Sequence, residues 1–217
     1  MKKRRFFALF LVLGLLVSLL SVPASAFEEI DVDARAALLV EKETGEILYE
    51  KNAHEKNYPA SITKLTVALL VFEAIDAGQL SLDQPITARE SAFEGLSIYG
   101  STAGIKVGEV LTVEQLLQCM LIVSANEACN VVAEYVCGSI SAFVERMNTR
   151  AQELGCTGTH FANPHGLPKD DHYTTAHDLY RITKEALSHE LFATICNTVK
   201  HTVPATNLSE ERTLSNT

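Results

Sequence analysis

The chain has 217 residues and a formal net charge of −9, with 27 acidic against 18 basic side chains. This acidic balance argues against nucleic acid or an anionic lipid surface as the main partner. The seven histidines show no spacing typical of a metal site, so we predict no metal and no cofactor. The five cysteines form no Cys-x-x-Cys pair, which argues against a disulfide scaffold, and most are expected to be small buried residues.

The first 26 residues have the pattern of a secretory signal peptide. Basic residues at 2–5 precede an apolar run over 6–22, and Ala24-Ser25-Ala26 is a small-residue cleavage site. We therefore predict a signal peptide at 1–26 and a mature chain at 27–217. An uncleaved membrane anchor is the alternative, because the apolar run is long for a signal core. In either case the rest of the chain is expected outside the cytoplasm.

Apolar patterning predicts a sheet at the start of the mature chain and a buried helix after it. The segment 35–49 is typical of an antiparallel hairpin that turns at Glu43-Thr44-Gly45. From Ser61 to about Ala77 the chain is apolar on nearly all sides, which predicts a buried helix that ends at Gly78. Residues 79–111 are predicted to form loops and short elements.

The second half of the chain is predicted to be mainly helical. Thr112 and Gln115 match a capping box, which begins a helix running to about Val123. The segment from Asn163 to Pro168 is expected to be a rigid turn. Further helices are predicted at about 127–137, 141–154, 175–188 and 190–197. The fold class is therefore α/β, in the α+β sense.

Ser61-Ile62-Thr63-Lys64 carries the clearest chemistry in the chain. Residues three apart share one face of a helix, so the Lys64 amine can reach the Ser61 oxygen and take its proton. The positive end of the helix would stabilise negative charge that develops during attack on a carbonyl. Taken alone, however, Ser-x-x-Lys also fits an N-cap serine and a solvated lysine, and Ser124-Ala125-Asn126 also fits an ordinary turn.

Four motifs follow one another along the chain: Pro-Ala-Ser-Ile-Thr-Lys-Leu at 59–65, Ser-Ala-Asn-Glu-Ala-Cys at 124–129, His-Gly-Leu at 165–167 and Tyr-Thr-Thr-Ala at 173–176. In combination they resemble the low-molecular-mass penicillin-binding proteins, and most closely the serine-type D-alanyl-D-alanine carboxypeptidases. The resemblance extends from about residue 36 to the end of the chain. It implies a fold like that of penicillin-binding proteins and β-lactamases, with an antiparallel sheet flanked by helices and a helical subdomain.

The resemblance also implies a role for each motif residue. Ser61 would attack the carbonyl between the last two D-alanines of a peptidoglycan stem peptide, and Lys64 would be the general base, which requires a lowered pKa. Ser124 would relay a proton between Lys64 and the leaving group, and Asn126 would bind the substrate amide or hold Lys64. Because penicillins resemble the same dipeptide, β-lactam antibiotics are expected to acylate Ser61. The implied location is the periplasm or the outer face of the cytoplasmic membrane.

Two other functions share parts of these motifs. A class A β-lactamase usually has Ser-Asp-Asn at the second motif and a glutamate that activates the deacylating water. This chain instead has Ala125 in the middle position and no obvious matching glutamate after Gly155. A non-catalytic module that binds cell wall or penicillin would keep the fold without turnover, but the joint presence of all four motif residues argues against it.

The sequence contains no Lys-Thr-Gly or Lys-Ser-Gly, which is the third motif of the family. We therefore expect 27–217 to be an incomplete catalytic domain, truncated before that motif. The family strand that carries it supplies a positive charge for the substrate carboxylate and an oxyanion-hole N–H, and losing one such donor typically costs about 3–4 kcal/mol. The family also often has a C-terminal extension with a small β domain and a membrane-associating helix.

The chain as given is predicted to have little or no carboxypeptidase activity and low stability, whereas the complete gene product is expected to be active. The physical reason is that the hairpin at 35–49 would lack neighbouring strands and the site would lack its third motif. Incubation of purified 27–217 with a fluorescent penicillin measures this. Labelling of Ser61 at ordinary rates would show that the absent strand matters less than expected.

Overall fold

A β-hairpin opens the part of the chain that the computed structural model describes, which is residues 32–216. The predicted signal peptide at 1–26 lies outside these residues. From Arg35 onward the chain folds as a single unit. The strands are β1 (Ala37–Val40), β2 (Ile47–Lys51), β3 (Pro85–Thr87), β4 (Val110–Thr112), β5 (Lys200–Val203) and β6 (Arg212–Ser215). The helices are α1 (Lys64–Asp76), α2 (Val113–Ile122), α3 (Asn126–Cys137), α4 (Ile140–Glu153), α5 (Ala176–Ala186) and α6 (Glu190–Cys196).

The strands form three separate antiparallel pairs, β1 with β2, β3 with β4 and β5 with β6. The hairpin predicted at 35–49 is confirmed as β1 and β2, with Leu39 opposite Tyr49 and an irregularity after Leu39. In the described part of the chain this pair has no third strand, and both Leu39 and Leu48 are exposed. The pairs β3–β4 and β5–β6 were not predicted individually, because strands of three or four residues carry too little alternation to be recognised.

Helix α1 is the centre of the core. Its residues from Val67 to Phe72 are buried, so the apolar pattern on all sides of this helix is explained by packing against α2, α3, α4 and α5. The predicted start at Ser61 needs correction. The α-helix begins at Lys64, and Ser61 lies in a 3₁₀ turn over Ala60–Thr63 that precedes it. Ile62 is consequently 49% exposed and does not join the core.

Local side-chain caps set the starts of three of the predicted helices. The Thr112 hydroxyl accepts from the Gln115 N–H at 3.2 Å, and the Gln115 side chain accepts from the Thr112 N–H at 2.9 Å, so the capping box of α2 is confirmed. The Ser139 and Thr175 hydroxyls each accept one N–H at the starts of α4 and α5. Helix α3 begins one residue earlier than predicted, which places Asn126 in its first turn.

All five cysteines are free thiols. Three of them, Cys119, Cys129 and Cys156, are buried, and burial raises the pKa of each to about 12. They therefore serve as small apolar core residues, as expected from the sequence. No helix within 32–216 has both the length and the apolar character needed to cross a lipid bilayer.

A buried ion pair fastens the β5–β6 hairpin to the rest of the fold. The Glu109 carboxylate is fully buried and contacts the Arg212 guanidinium, while the Thr206 hydroxyl donates to the same carboxylate oxygen at 2.7 Å. The second guanidinium nitrogen of Arg212 donates to the Ala103 carbonyl at 3.0 Å. Burial raises the pKa of Glu109, but hydrogen bonds from Thr206 and the Lys106 N–H, together with the Arg212 charge, lower it overall.

Replacing Arg212 with alanine should destabilise the fold strongly, because it leaves the Glu109 carboxylate buried without its counter-ion. The expected loss is about 3–5 kcal/mol of unfolding free energy, measured by urea denaturation. The matched control is Arg146→Ala, which removes an exposed pair with Glu153 and should cost less than about 1 kcal/mol. Equal losses in the two variants would show that Arg212 does not act as a buried counter-ion.

Candidate active site

Ser61 and Lys64 form a hydroxyl–amine pair at the edge of an open cleft of about 260 Å³. Ser61 is exposed to this cleft, whereas Lys64 is only 3% exposed. The amine Nζ of Lys64 donates to the Ser61 Oγ at 3.2 Å. Residues three apart are nearly eclipsed in a 3₁₀ turn, so the change from the predicted α-helical start keeps the two groups together.

Two further oxygens complete the surroundings of the Lys64 amine. Nζ donates to the Asn126 Oδ1 at 2.9 Å and to the backbone carbonyl of His165 at 2.8 Å. As an ammonium, Lys64 thus has one acceptor for each of its three hydrogens. As a neutral amine it can keep the bonds to Asn126 and His165 and turn its lone pair towards the Ser61 hydroxyl. The same geometry therefore serves both protonation states.

The environment of Lys64 favours the neutral amine relative to a solvated lysine. Burial lowers the pKa of Lys64, and a negative charge on Cys129 or Glu127 opposes that shift. Burial also raises the pKa of the Cys129 thiol to about 12, so this thiol is uncharged near neutral pH and does not oppose the shift there. The pKa of Lys64 is therefore shifted in the direction that a general base requires.

A turn over 163–168 places the His165 carbonyl next to the Lys64 amine. The Asn163 side chain fixes this turn from within, because its Oδ1 accepts from the N–H groups of His165 and Gly166 at 3.2 and 2.6 Å. Its Nδ2 donates to the Leu167 carbonyl at 2.8 Å. The sequence indicates a rigid turn here but not that its backbone contacts the amine, since the partners are 101 positions apart.

Gly166 lets the turn approach the nucleophile at backbone distance. Its φ is +87°, and a Cβ at this position would lie 1.9 Å from the Ala60 carbonyl oxygen. Ala60 itself has a φ of +48°, in the left-handed region that alanine rarely adopts. The segment before Ser61 is thus held in a strained conformation by direct packing against the turn.

His172 supports the 3₁₀ turn that contains Ser61. Its Nδ1 accepts from the Ala162 N–H at 3.0 Å, so the proton of the neutral ring lies on Nε2, which donates to the Thr63 Oγ1 at 2.8 Å. Burial lowers the pKa of both His165 and His172 to about 4, and both rings are therefore neutral near pH 7. The sequence alone indicates no role for His172, because its partner Thr63 is 109 positions away and only the fold brings the two together.

Ser124, the remaining predicted site residue, lies in the connection between α2 and α3. Its Oγ is buried and makes no hydrogen bond within the described residues, and its φ is +58°. The structure thus brings Ser61, Lys64 and Asn126 together by hydrogen bonds but gives Ser124 none with them. A buried unpaired hydroxyl in a strained backbone costs free energy, and such features concentrate at functional sites.

The 260 Å³ cleft is the candidate active site, although it is not the largest cavity. Tyr58 and Tyr99 line it and are both exposed. A cavity of about 700 Å³ lies between β1 and α5, but the lysines that line it, Lys42 and Lys184, are exposed. That larger cavity therefore offers no buried base. Within 32–216, no group of side chains has the arrangement needed to hold a metal ion.

Known proteins resemble this chain along most of its length. The D-alanyl-D-alanine carboxypeptidase family, Peptidase S11, matches residues 23–216. The carboxypeptidase DacF of Bacillus subtilis is 37% identical over 182 residues, which are 80% of this chain and 46% of that protein. The crystal structure of DacD from Francisella tularensis superposes with a TM-score of 0.75 at 35% identity, over 80% of this chain and 41% of the other. Penicillin-binding protein 5 from Haemophilus influenzae gives a TM-score of 0.80 at 26% identity, over 88% and 54%. The chain thus spans less than half the length of the two carboxypeptidases.

Gly166→Ala should separate the turn from the nucleophile, because the new methyl group would overlap the Ala60 carbonyl. We expect a loss of at least about 2 kcal/mol of unfolding free energy, measured by urea denaturation. Gly138→Ala is the matched control, since Gly138 has a φ of +77° but no atom within 4 Å of its added methyl group. Equal effects of the two changes would mean that backbone strain, not the contact with Ala60, explains the result.

Proposed function

The chain belongs to the D-alanyl-D-alanine carboxypeptidase family, and on that premise we propose that it is a serine carboxypeptidase that forms an acyl-enzyme on Ser61. The observation that carries the proposal is the buried Lys64 amine 3.2 Å from the exposed Ser61 hydroxyl. The proposed substrate is a peptidoglycan stem peptide ending in D-alanyl-D-alanine. β-Lactam antibiotics are the proposed inhibitors, because they would acylate the same hydroxyl.

Acylation would begin with neutral Lys64. Its lone pair takes the Ser61 proton while the Ser61 Oγ forms a bond to the carbonyl carbon between the two D-alanines. The C–N bond then breaks, the proton passes to the leaving amine, and the terminal D-alanine departs. Water hydrolyses the remaining ester and restores the hydroxyl. Asn126 and the His165 carbonyl accept from the ammonium formed after the first proton transfer, which keeps it in place.

Ser124 and Asn126 would complete the proton path and the substrate contacts. The buried Ser124 hydroxyl has no competing partner within the described residues, so it is available to pass the proton from Lys64 towards the leaving amine. Asn126 uses its Oδ1 for Lys64 and also lines the cleft, which leaves its Nδ2 hydrogens for a substrate carbonyl. These assignments make Ser61, Lys64 and Ser124 catalytic and Asn126 a substrate-binding residue.

The proposed place of action is the cell wall, outside the cytoplasm. Two observations support this location. The sequence at 1–26 has the pattern of an export signal, and the chain belongs to a family whose name refers to the D-alanyl-D-alanine end of peptidoglycan stem peptides. We propose that the protein acts in the periplasm or at the outer face of the cytoplasmic membrane.

Substitutions at Ser61 and Lys64 test the proposal. Intact-mass spectrometry of the 217-residue chain with penicillin should show a slow 1:1 adduct, since the sequence has no Lys-Thr-Gly motif. Ser61→Ala should abolish the adduct, and Lys64→Arg should slow its formation about 10²–10⁴-fold, because arginine keeps the charge but cannot act as a base. Lys184→Arg, at an exposed lysine on α5, is the control and should leave the rate unchanged.

Three outcomes would count against this function. An adduct that survives Ser61→Ala would place the nucleophile elsewhere, and an adduct that forms as fast in Lys64→Arg as in the unsubstituted chain would exclude Lys64 as the base. Rapid turnover of penicillin without accumulation of the adduct would favour a β-lactamase.

A further inference from the structure

We propose that Glu127 is a positioning residue of this site: it holds one wall of the cleft and supplies a negative charge that acts on the Lys64 amine. The inference rests on the proposed function and extends it to a residue outside the catalytic set. Glu127 is the residue after Asn126 in the first turn of α3 and is only 3% exposed. A carboxylate is favoured there, because it faces the positive end of the helix dipole.

A single oxygen of Glu127 organises the loop over 101–105. Its Oε1 accepts from the Thr102 hydroxyl and from the Ala103 N–H, both at 2.7 Å, and from the Ile105 N–H at 3.5 Å. The Thr102 oxygen in turn accepts from the Gly104 N–H at 2.9 Å. The bonds to Oε1 are all donated to Glu127, as expected for an ionised carboxylate, so the loop is fixed by one buried acceptor.

The start of this loop and the preceding Gly100 form the wall of the cleft that contacts Asn126. The Ser101 carbonyl accepts from the Asn126 N–H at 2.9 Å. Gly100 lies so close that a Cβ there would be 2.6 Å from the Asn126 Nδ2. Gly100 and Ser101 also line the cleft. Glu127 thus holds the loop, the loop holds Asn126, and Asn126 accepts from Lys64.

Glu127 also acts on Lys64 through its charge, since it adjoins Asn126, whose Oδ1 accepts from the Lys64 amine at 2.9 Å. The titratable groups that interact with this amine are Glu127 and Cys129 from α3, and His165 from the turn over 163–168. Near neutral pH the Cys129 thiol is protonated and the His165 ring is neutral, because their pKa values are about 12 and about 4. Of these three groups, only Glu127 then carries a charge. It stabilises the ammonium and limits how far burial lowers the pKa of Lys64.

Three substitutions separate holding the loop from supplying the charge. Glu127→Gln keeps an acceptor oxygen but removes the charge. Glu127→Asp keeps the charge but withdraws the oxygen from the loop by one methylene. Glu127→Ala removes both. Glu134→Gln is the matched control, because Glu134 lies on the same helix and accepts from the Ser91 hydroxyl of a 3₁₀ helix at 2.6 Å.

The first readout is the pH dependence of penicillin acylation at Ser61. Acylation requires neutral Lys64, so its rate rises with pH through the pKa of this lysine. Removing a neighbouring negative charge lowers that pKa, and Glu127→Gln should therefore move the rise to lower pH by about one unit. Glu127→Asp should leave the rise in place but reduce acylation efficiency about tenfold, and Glu127→Ala should both shift the rise and reduce the efficiency about tenfold to a hundredfold.

The second readout is NMR titration of the Lys64 side chain in protein with ¹³C-labelled lysine, with Lys64→Arg used for assignment. It needs no acylation. It should show the same downward shift in Glu127→Gln and none in Glu134→Gln. An unmoved titration in Glu127→Gln, or an equal shift in Glu134→Gln, overturns the proposal. If Lys64→Arg forms the adduct as fast as the unsubstituted chain, the proposed function fails, but the titration still decides the role of Glu127.

Discussion

The structure depends on a constraint at the Lys64 amine, which is buried and needs an oxygen for every hydrogen it carries. Burial is what lowers the pKa of this lysine and makes it useful as a base, but a buried ammonium without acceptors would cost several kcal/mol. The three acceptors come from three distant segments, namely Ser61, Asn126 and the His165 carbonyl. The 3₁₀ turn that contains Ser61 must therefore meet the start of α3 and the turn over 163–168 at one point.

This meeting point is built with strained and closely packed backbone. Ala60 and Ser124 adopt left-handed conformations, and Gly166 and Gly100 sit where a side chain would collide with a neighbour. Such conformations persist only where the surrounding contacts determine them. Here those contacts are the hydrogen bonds of Asn163, the bond between His172 and Thr63, and the packing of α1 in the core. Rigidity of this kind holds a nucleophile and its base at a fixed separation.

Two buried carboxylates illustrate how the fold uses charge for different ends. Glu109 is paired with Arg212, and the pair joins the β5–β6 hairpin to the segment between β3 and β4. Glu127 receives only neutral donors, so its negative charge is not cancelled by a direct ion pair in the described structure and can act on Lys64. The paired carboxylate of Glu109 therefore contributes mainly to stability. The unpaired charge of Glu127 can instead change the pKa of Lys64.

Features that depend on neighbours close in the chain could be predicted from the sequence. They are the hairpin at 35–49, the mostly buried α1, the capping box of Thr112 and the spacing of Ser61 and Lys64, which follow from local periodicity and short-range hydrogen bonds. The start of α1 at Lys64, after a 3₁₀ turn, depends instead on tertiary packing, since the backbone of Ala60 is held by Gly166.

Tertiary packing likewise brings His165 and His172 to the site and leaves Ser124 without a hydrogen-bond partner in the described residues. The bonds of these two histidines join positions 101 and 109 residues apart. Local periodicity contains no information about such pairs, because whether two distant segments meet depends on how the whole core packs.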